Sequence, residues 1–497
     1  MSAESSVRKI LLNSGIYFTA SVITKSVTFL LLPVYTRFLT PDDYGILALA
    51  QAFQQVIVSF IGLGLLDATS RLFFRYHHDP PLLRKYLTTI LATMAGTAVV
   101  TALLVTATRE PLSQIVFDRA GLGIYILAAI WYVPFTQIVE FTLVVLVDKE
   151  KPLSYALVNS GRLASIIVFT LLFVVVLRRG ALGSLEAVLV STAIFAGIAL
   201  FVLRRDFQRS FKRTYLSESL RFGLPLLPHI MSGWVIAYID RIYLSRYQDL
   251  STVGIYQVGF TISTIMTFSV ASVMQAWNPV FFKALEREGR LSHDRLTKGI
   301  TLIAVGMTTL GLTLAIFSRE IVNVLTAPAF HSAYVIVPLL IAYNVIGCFN
   351  QLVVGRLFFV SVTGWLSLTT FIAMGVVIAA NIVLVPVFGA SGAAAATTLS
   401  GLTSLTLNFI IGARKYPFRY EYGQIVRAIG WALIAFAIAW ALPDWGLLIG
   451  VVAKLILVAV FIGGLFALRV FNPAELALMR TTITKIIRRL AAFRRMT

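Results

Sequence analysis

The chain has 497 residues, 58% hydrophobic and only 13% charged, with a mean hydropathy of +0.86. A soluble protein of this length could not hide so much apolar surface, so the composition excludes that class and predicts an all-α polytopic membrane protein. The net charge of +20 does not require nucleic acid, because membrane proteins collect Lys and Arg in cytoplasmic loops, and the single cysteine, Cys348, excludes a disulfide framework or a multi-cysteine metal site.

In chain order, apolar stretches long enough to cross a bilayer fall at 11–36, 45–66, 86–108, 121–147, 153–177, 181–203, 219–245, 253–277, 299–318, 335–360, 365–386, 389–412, 425–442 and 446–468, about fourteen in all. The polar start runs into an apolar stretch too long for a signal-peptide core, which reads as an uncleaved first span. With the N-terminus inside, the cytoplasmic segments take most of the Lys and Arg, from Arg8-Lys9 to Arg494-Arg495. The opposite side holds only Arg37, Arg109, Arg119, Arg178, Arg179, Arg246 and Arg319. The positive-inside rule then places both termini in the cytoplasm and supports an even number of spans. The basic charge becomes an orientation signal and a contact for anionic lipids.

A shift of 209 lays Arg37-Phe38 on Arg246-Tyr247 and Gly45-Ile46-Leu47 on Gly254-Ile255-Tyr256, and a shift of 208 lays Leu72-Phe73-Phe74-Arg75 on Val280-Phe281-Phe282-Lys283. The pairs sit at corresponding ends of spans 1, 2, 7 and 8, so spans 1–6 and 7–12 read as two copies of one six-helix unit. An even number of helices per copy keeps both in one orientation. That is a parallel pseudo-twofold repeat, which places a substrate site between the lobes and suits alternating access. The expected organisation is an N-terminal lobe at 1–213, a C-terminal lobe at 214–422, accessory helices 13 and 14 within 423–470, and a tail at 471–497. In that tail Leu476, Met479, Ile483, Ile486, Ile487 and Leu490 recur at helical spacing among Arg and Lys, the pattern of a basic amphipathic helix on the inner leaflet. Span 7 opens with Gly223, Pro225 and Pro228, which predict a bend that serves either gating or packing.

An ionisable group inside a span costs on the order of 3 kcal/mol on insertion scales and so tends to face a cavity. Lys25 lies in the middle of span 1, Arg162 in span 5, Arg241 beside Asp240 in span 7, Arg356 near the inner end of span 10 and Lys454 in span 14. Two intramembrane acids, Asp240 and Glu140, oppose them, with Asp67 at a span boundary, so the expected interior is net cationic and suits an anionic substrate. Each residue has a plainer reading. Arg241 and Arg356 lie within snorkelling reach of an interface, Asp240 can neutralise a neighbouring helix's cation, and Glu140 and Arg162 can form a structural ion pair. Asp240 and Glu140 are alternatively sites of ion coupling. Trp234 falls opposite Lys25 at shift 209, and Trp234 and Tyr238, with Tyr17 and Tyr256, are either sugar-stacking faces or packing aromatics.

No G-x-x-x-x-G-K-[ST] phosphate loop is present, His77-His78 lacks metal-type partners, and no nucleophile elbow or paired catalytic acids stand in a short enough compass. The reading is a carrier rather than an enzyme, with no cofactor and no metal.

Asn13-Ser14-Gly15, then Leu32-Pro33-Val34-Tyr35-Thr36-Arg37-Phe38-Leu39-Thr40-Pro41-Asp42-Asp43-Tyr44-Gly45, resembles the start of polysaccharide flippases. So do Gly223-Leu224-Pro225-Leu226-Leu227-Pro228, Asp240-Arg241, Val253-Gly254-Ile255-Tyr256, and Asn381-Ile382-Val383-Leu384-Val385-Pro386 followed by Phe388-Gly389-Ala390-Ser391-Gly392. The set is similar to the polysaccharide transporter, or O-antigen flippase, branch of the multidrug/oligosaccharidyl-lipid/polysaccharide (MOP) exporter superfamily. The resemblance implies a bacterial cytoplasmic membrane protein that turns polyprenyl-pyrophosphate-linked oligosaccharide to the outer leaflet. It implies a polysaccharide polymerase and glycosyltransferases as partners, beside membrane lipids. By the same resemblance Lys25 and Arg241, with Arg162, become pyrophosphate contacts. A lipid II flippase and a multidrug-type cation antiporter are the alternatives, the latter wanting intramembrane carboxylates in excess.

Overall fold

The computed structural model describes residues 29–208, 210–288, 293–360, 363–443 and 446–470, so the expected tail helix, Tyr17 and Lys25 lie outside the described residues. The described chain is helical throughout: α1 (Phe29–Phe38), α2 (Pro41–Gly62), α3 (Leu65–Tyr76), α4 (Pro80–Ala107), α5 (Arg109–Phe117), α6 (Gly123–Asp148), α7 (Pro152–Thr170), α8 (Gly180–Leu203), α9 (Arg213–Gly223), α10 (Leu227–Tyr247), α11 (Leu250–Glu288), α12 (His293–Ile316), α13 (Ser318–Leu325), α14 (Val337–Phe359), α15 (Thr363–Lys415), α16 (Tyr422–Ala441) and α17 (Leu447–Ala467). Among the described residues, 12 helices are long and apolar enough to cross a membrane. Two features reconcile them with the fourteen expected spans. The 53 residues of α15 would run about 80 Å at 1.5 Å per residue, far beyond a bilayer, and Gly389 (φ 54°, ψ −130°) breaks them into two. The other is α1, the visible end of the first expected span.

The repeat is visible in local chemistry. Thr40 caps α2 through the Asp43 amide, and its counterpart at shift 209, Asp249, caps α11 by accepting from the Thr252 amide at 2.7 Å. The next turn carries Gly45 and Gly254, whose backbones touch. A Cβ on Gly45 would meet the Leu250 carbonyl, and one on Gly254 would meet the Pro41 carbonyl. Pro41 and Leu250 are also related by the shift of 209, so the two contacts are reciprocal. Reciprocal contact between equivalent residues is the mark of a twofold axis, which passes between these glycines. The match continues where sequence reading had not followed it. At shift 210, Thr108-Arg109-Glu110 lies on Ser318-Arg319-Glu320, and both open short helices, α5 and α13.

By packing, the chain forms two compact units. The first holds the described residues up to Ile262, with Val322–Ile336 and Thr370–Ser400. The second holds Ser263–Ile321, Val337–Thr369 and the described residues from Gly401. These units group helices by contact, whereas the repeat groups them by sequence. The first unit has a core of Leu72, Phe73, Tyr86, Ile90, Phe141 and Leu146, and the second packs Met266, Phe281, Leu285, Leu296 and Phe418. In the first unit α2 ends at Leu63 and Gly64, both left-handed, and Gly64 lies against Gly223 at the end of α9, where a Cβ would come within 2.7 Å of the Gly223 Cα. The bend foreseen at span 7 is the 3₁₀ turn Leu224–Leu226 that follows.

Candidate functional site: a buried ion-pair cluster in the first unit

Helices α10 and α11 form an antiparallel hairpin joined by Gln248 and Asp249. Residues equally far from that turn face one another, so Asp240 and Arg241 meet Tyr256 and Gln257. Arg241 is 0% exposed and Asp240 1%. Arg241 Nη1 donates to Asp240 Oδ1 at 2.9 Å and to the Ala237 carbonyl, and Nε donates to Gln257 Oε1 at 3.1 Å. The second carboxylate oxygen accepts from the Tyr256 hydroxyl and from Thr397 at 3.4 Å. The guanidinium also lies over the rings of Phe260 (4.2 Å), Tyr238 (5.2 Å) and Tyr256 (5.4 Å). Asp240 is therefore supplied with donors on both oxygens, while Arg241 Nη2 is buried with no hydrogen-bond partner. A buried donor left unpaired is a standing penalty of about 1–3 kcal/mol, which an incoming acceptor relieves.

The repeat shows that the fold does not need this cluster. At shift 209 the equivalents of Asp240, Arg241, Tyr256 and Gln257 are Leu31, Leu32, Leu47 and Ala48, all buried and apolar. One copy of the unit fills these positions with hydrocarbon, the other with an ion pair and its hydrogen-bonding partners. The departure from symmetry singles out this cluster as a feature of the second copy alone.

Trp234, Tyr238 and Arg241 share one stripe of α10 at i, i+4 and i+7. Trp234 and Tyr238 stack at 6.1 Å and 27°, and the indole N–H donates to the Ala52 carbonyl at 3.1 Å. These rings pack on one another, Tyr238 also meets the guanidinium, and both keep part of their surface free. Glu140 and Arg162 are paired at 3.1 Å between α6 and α7, with Arg162 buried and Glu140 41% exposed. Tyr132, hydrogen-bonded by Thr136, feels both charges.

Arg356 belongs to the second unit and is held differently. Its Nη2 donates to the Phe409 carbonyl at 2.9 Å, its guanidinium lies over Tyr420 and Phe409 at 5.2 and 5.5 Å, and it rests on Gly412, where a Cβ would collide with it. Among the described residues it has no carboxylate partner. Burial pushes the Tyr420 phenol up to about 12 against the opposing pull of the Arg356 charge, so the ring over Arg356 is neutral.

Lys454 has a partner that sequence reading missed: Glu320 of α13, whose oxygens lie 2.7 and 2.8 Å from Nζ. Glu320 sits outside the spans, and only the amphipathic pattern of α13 signals that it turns inward. Three of the four described intramembrane cations are thus neutralised, leaving Arg356. Lys454→Met alone strands Glu320 and is expected to lower stability by about 3 kcal/mol, while adding Glu320→Leu recovers most of it. Thermal melting of the purified variants reads both, and equal melting of all three would remove the pair from the account.

The fold matches that of MOP superfamily transporters. The chain superposes on lipid II flippase MurJ in an inward closed conformation with a TM-score of 0.71, at 12% identity over 91% of this chain and 98% of that one. It superposes on an inward-facing multidrug resistance MATE transporter with a TM-score of 0.59, at 16% identity over 79% and 94%. Residues 10–285 match the family described as polysaccharide biosynthesis protein, and the chain belongs to that family. "Lsg locus putative protein 1" of Haemophilus influenzae is 24% identical over 287 residues, 56% of this chain and 68% of that protein. "Probable flippase AglR" of Haloferax volcanii is 26% identical over 235 residues, 44% of this chain and 47% of that protein. The chain spans about half the length of that flippase and of a second one from the same organism, "Probable low-salt glycan biosynthesis flippase Agl15".

Proposed function

We propose that the chain is a flippase for polyprenyl-pyrophosphate-linked oligosaccharide, moving it from the cytoplasmic to the outer leaflet by alternating access of lobes 1–213 and 214–422. The observation that carries this reading is the Asp240–Arg241 cluster, present in one repeat and replaced by leucine in the other. A pyrophosphate needs fixed positive charge in a dry place, and Arg241 offers a buried guanidinium with one nitrogen unengaged. Asp240 holds that charge while no substrate is present and is the natural partner of a coupling ion. Trp234 and Tyr238 line the same stripe as aromatic surface for the first sugar, Lys25 is a second phosphate contact, and Arg162 and Arg356 support their own units. The prenyl tail stays in the lipid throughout. The protein sits in a bacterial cytoplasmic membrane with both termini inside, working beside a polysaccharide polymerase and glycosyltransferases that consume and supply its substrate.

Proteoliposomes loaded with lipid-linked oligosaccharide test this. The glycan is expected to become reachable by an external glycosidase at least tenfold faster than in protein-free vesicles, and Arg241→Gln is expected to remove that gain. Movement of lipid II alone, the activity named for the MurJ neighbour, would change the substrate class. Efflux of a cationic dye with no glycan movement would make the chain an antiporter.

A further inference from the structure

One turn beyond Arg241, the outer end of α10 meets the short helix α5 across a cleft of about 450 Å³, inside the range of roughly 300–1,000 Å³ that small-ligand sites occupy. Its lining mixes side chains of four polar kinds with apolar walls: Gln114, Asp118, Ser245 and Arg246 stand among Pro111, Ile115 and Ile242. On the adjoining stripe of α10, Tyr243 and Tyr247 lie parallel within 4° at 6.1 Å, and Tyr247 is 45% exposed. Asp118 holds a left-handed backbone conformation (φ 54°) at the end of α5, a place where glycine is favoured. It nevertheless presents a carboxylate to the cleft.

Here too the repeat separates what the fold needs from what it does not. At shift 210, Gln114 and Asp118 of α5 correspond to Val324 and Pro328, at and just beyond the end of α13. An interfacial helix at this point of the unit is built equally well with apolar residues, so the amide and carboxylate answer to something other than folding.

The chemistry identifies the ligand class. A pyranose has a rim of hydroxyls that act as both donor and acceptor, and apolar C–H faces. An amide, a carboxylate, a hydroxyl and a guanidinium satisfy the rim, while Pro111, Ile115 and Ile242 suit the faces. A phospholipid headgroup would be poorly served, because Asp118 repels its phosphate. We propose that this cleft is an exit-side subsite for the glycan of the transported molecule, binding a short saccharide after its pyrophosphate has reached Arg241. The assignment of ligand source and of the outer face rests on the flippase reading above. Because α5 comes from the first repeat and α10 from the second, a saccharide held by both bridges the lobes at their outer end. Its departure and their separation are then one event.

The test uses the full chain in nanodiscs and a panel of lipid-free di- to tetrasaccharides containing hexose, N-acetylhexosamine and uronic acid. Saturation-transfer NMR is expected to detect at least one of them, with affinity reduced tenfold or more in Gln114→Ala and in Asp118→Asn, and unchanged in the Lys454→Met, Glu320→Leu double variant. Both cleft residues are at the surface, and monodisperse elution checks that each variant is folded. No transfer from any saccharide, or transfer that both cleft variants retain, overturns the subsite. The vesicle assay separates the two failures. Glycan translocation that depends on Arg241 without saccharide binding here leaves the flippase reading standing and removes the subsite. Binding lost in the cleft variants, in a chain that moves no lipid-linked glycan, leaves a saccharide site and removes the flippase.

Discussion

Asp240→Leu combined with Arg241→Leu is expected to yield a chain that folds, inserts and melts near the wild-type temperature, yet moves no lipid-linked glycan. The expectation comes from the other repeat, where Leu31 and Leu32 occupy these positions and are buried. Replacing a buried ion pair by hydrocarbon of similar volume is often neutral or stabilising by about 1–4 kcal/mol, because two desolvated charges are removed together. Each single substitution behaves differently. Arg241→Leu leaves Asp240 with Tyr256 and Thr397 but no cation, and Asp240→Leu leaves a guanidinium with Gln257 and the Ala237 carbonyl alone. Each is expected to lose about 3–5 kcal/mol. The signature is strong non-additivity: two damaging singles and a benign double, with transport absent in all three. Thermal melting and glycosidase accessibility on the same preparations read it. A double variant that still transports would remove Arg241 from the substrate path, and one that cannot fold would make the pair structural.

The elements of the fold were legible because bilayer spans announce themselves by length and apolarity, and every expected span from the second onward coincides with a described helix. The repeat was legible from a handful of residues because those residues have geometric duties. Gly45 and Gly254 must let two backbones touch, whereas the helix caps Thr40 and Asp249 at the same shift went unread because their residue types differ. The site was legible only by type. Intramembrane charge singled out Asp240, Arg241, Glu140 and Arg162. The Glu140–Arg162 pair was among the alternatives open from sequence, whereas Asp240 was expected to meet a cation of a neighbouring helix and instead pairs with Arg241 on its own helix. Partners that are uncharged or lie outside the spans gave no such signal. Gln257 and Thr397 look like ordinary helix residues, and Glu320 looks like a loop acid, until packing brings them to Arg241, Asp240 and Lys454. Rotation about a helix axis is the missing variable. A span apolar on every side does not say which face a polar residue occupies, so Arg356 gave no hint that it would lie against Gly412 and Tyr420.

Gly45→Ala is expected to part the N-terminal ends of α2 and α11, which the proposed function places on the outer side, and to stall transport, and Gly254→Ala is expected to do the same. The obstacle to a new methyl group at either site is a backbone carbonyl, Leu250 or Pro41, and backbone cannot rotate aside as a side chain can. The helices must part, at the 1–3 kcal/mol typical of overpacking. In a transporter that alternates between two closures, that penalty falls only on the state in which this crossing is shut. It therefore shifts the equilibrium by roughly 5- to 150-fold toward the outward-open state without unfolding the chain. Leu49 is the reporter, buried one turn along the same face of α2. In a Cys348→Ala background, Leu49→Cys should react with a membrane-impermeant maleimide many times faster once Gly45 carries a methyl group. The reciprocal geometry adds a sharper expectation. Both collisions occur at one crossing on the twofold axis, so the first methyl group makes the room that the second needs, and the double alanine variant should label and transport like either single. Effects that multiplied instead would mean two separate contacts, and unchanged labelling in Gly45→Ala would mean that the crossing does not seal the outer side.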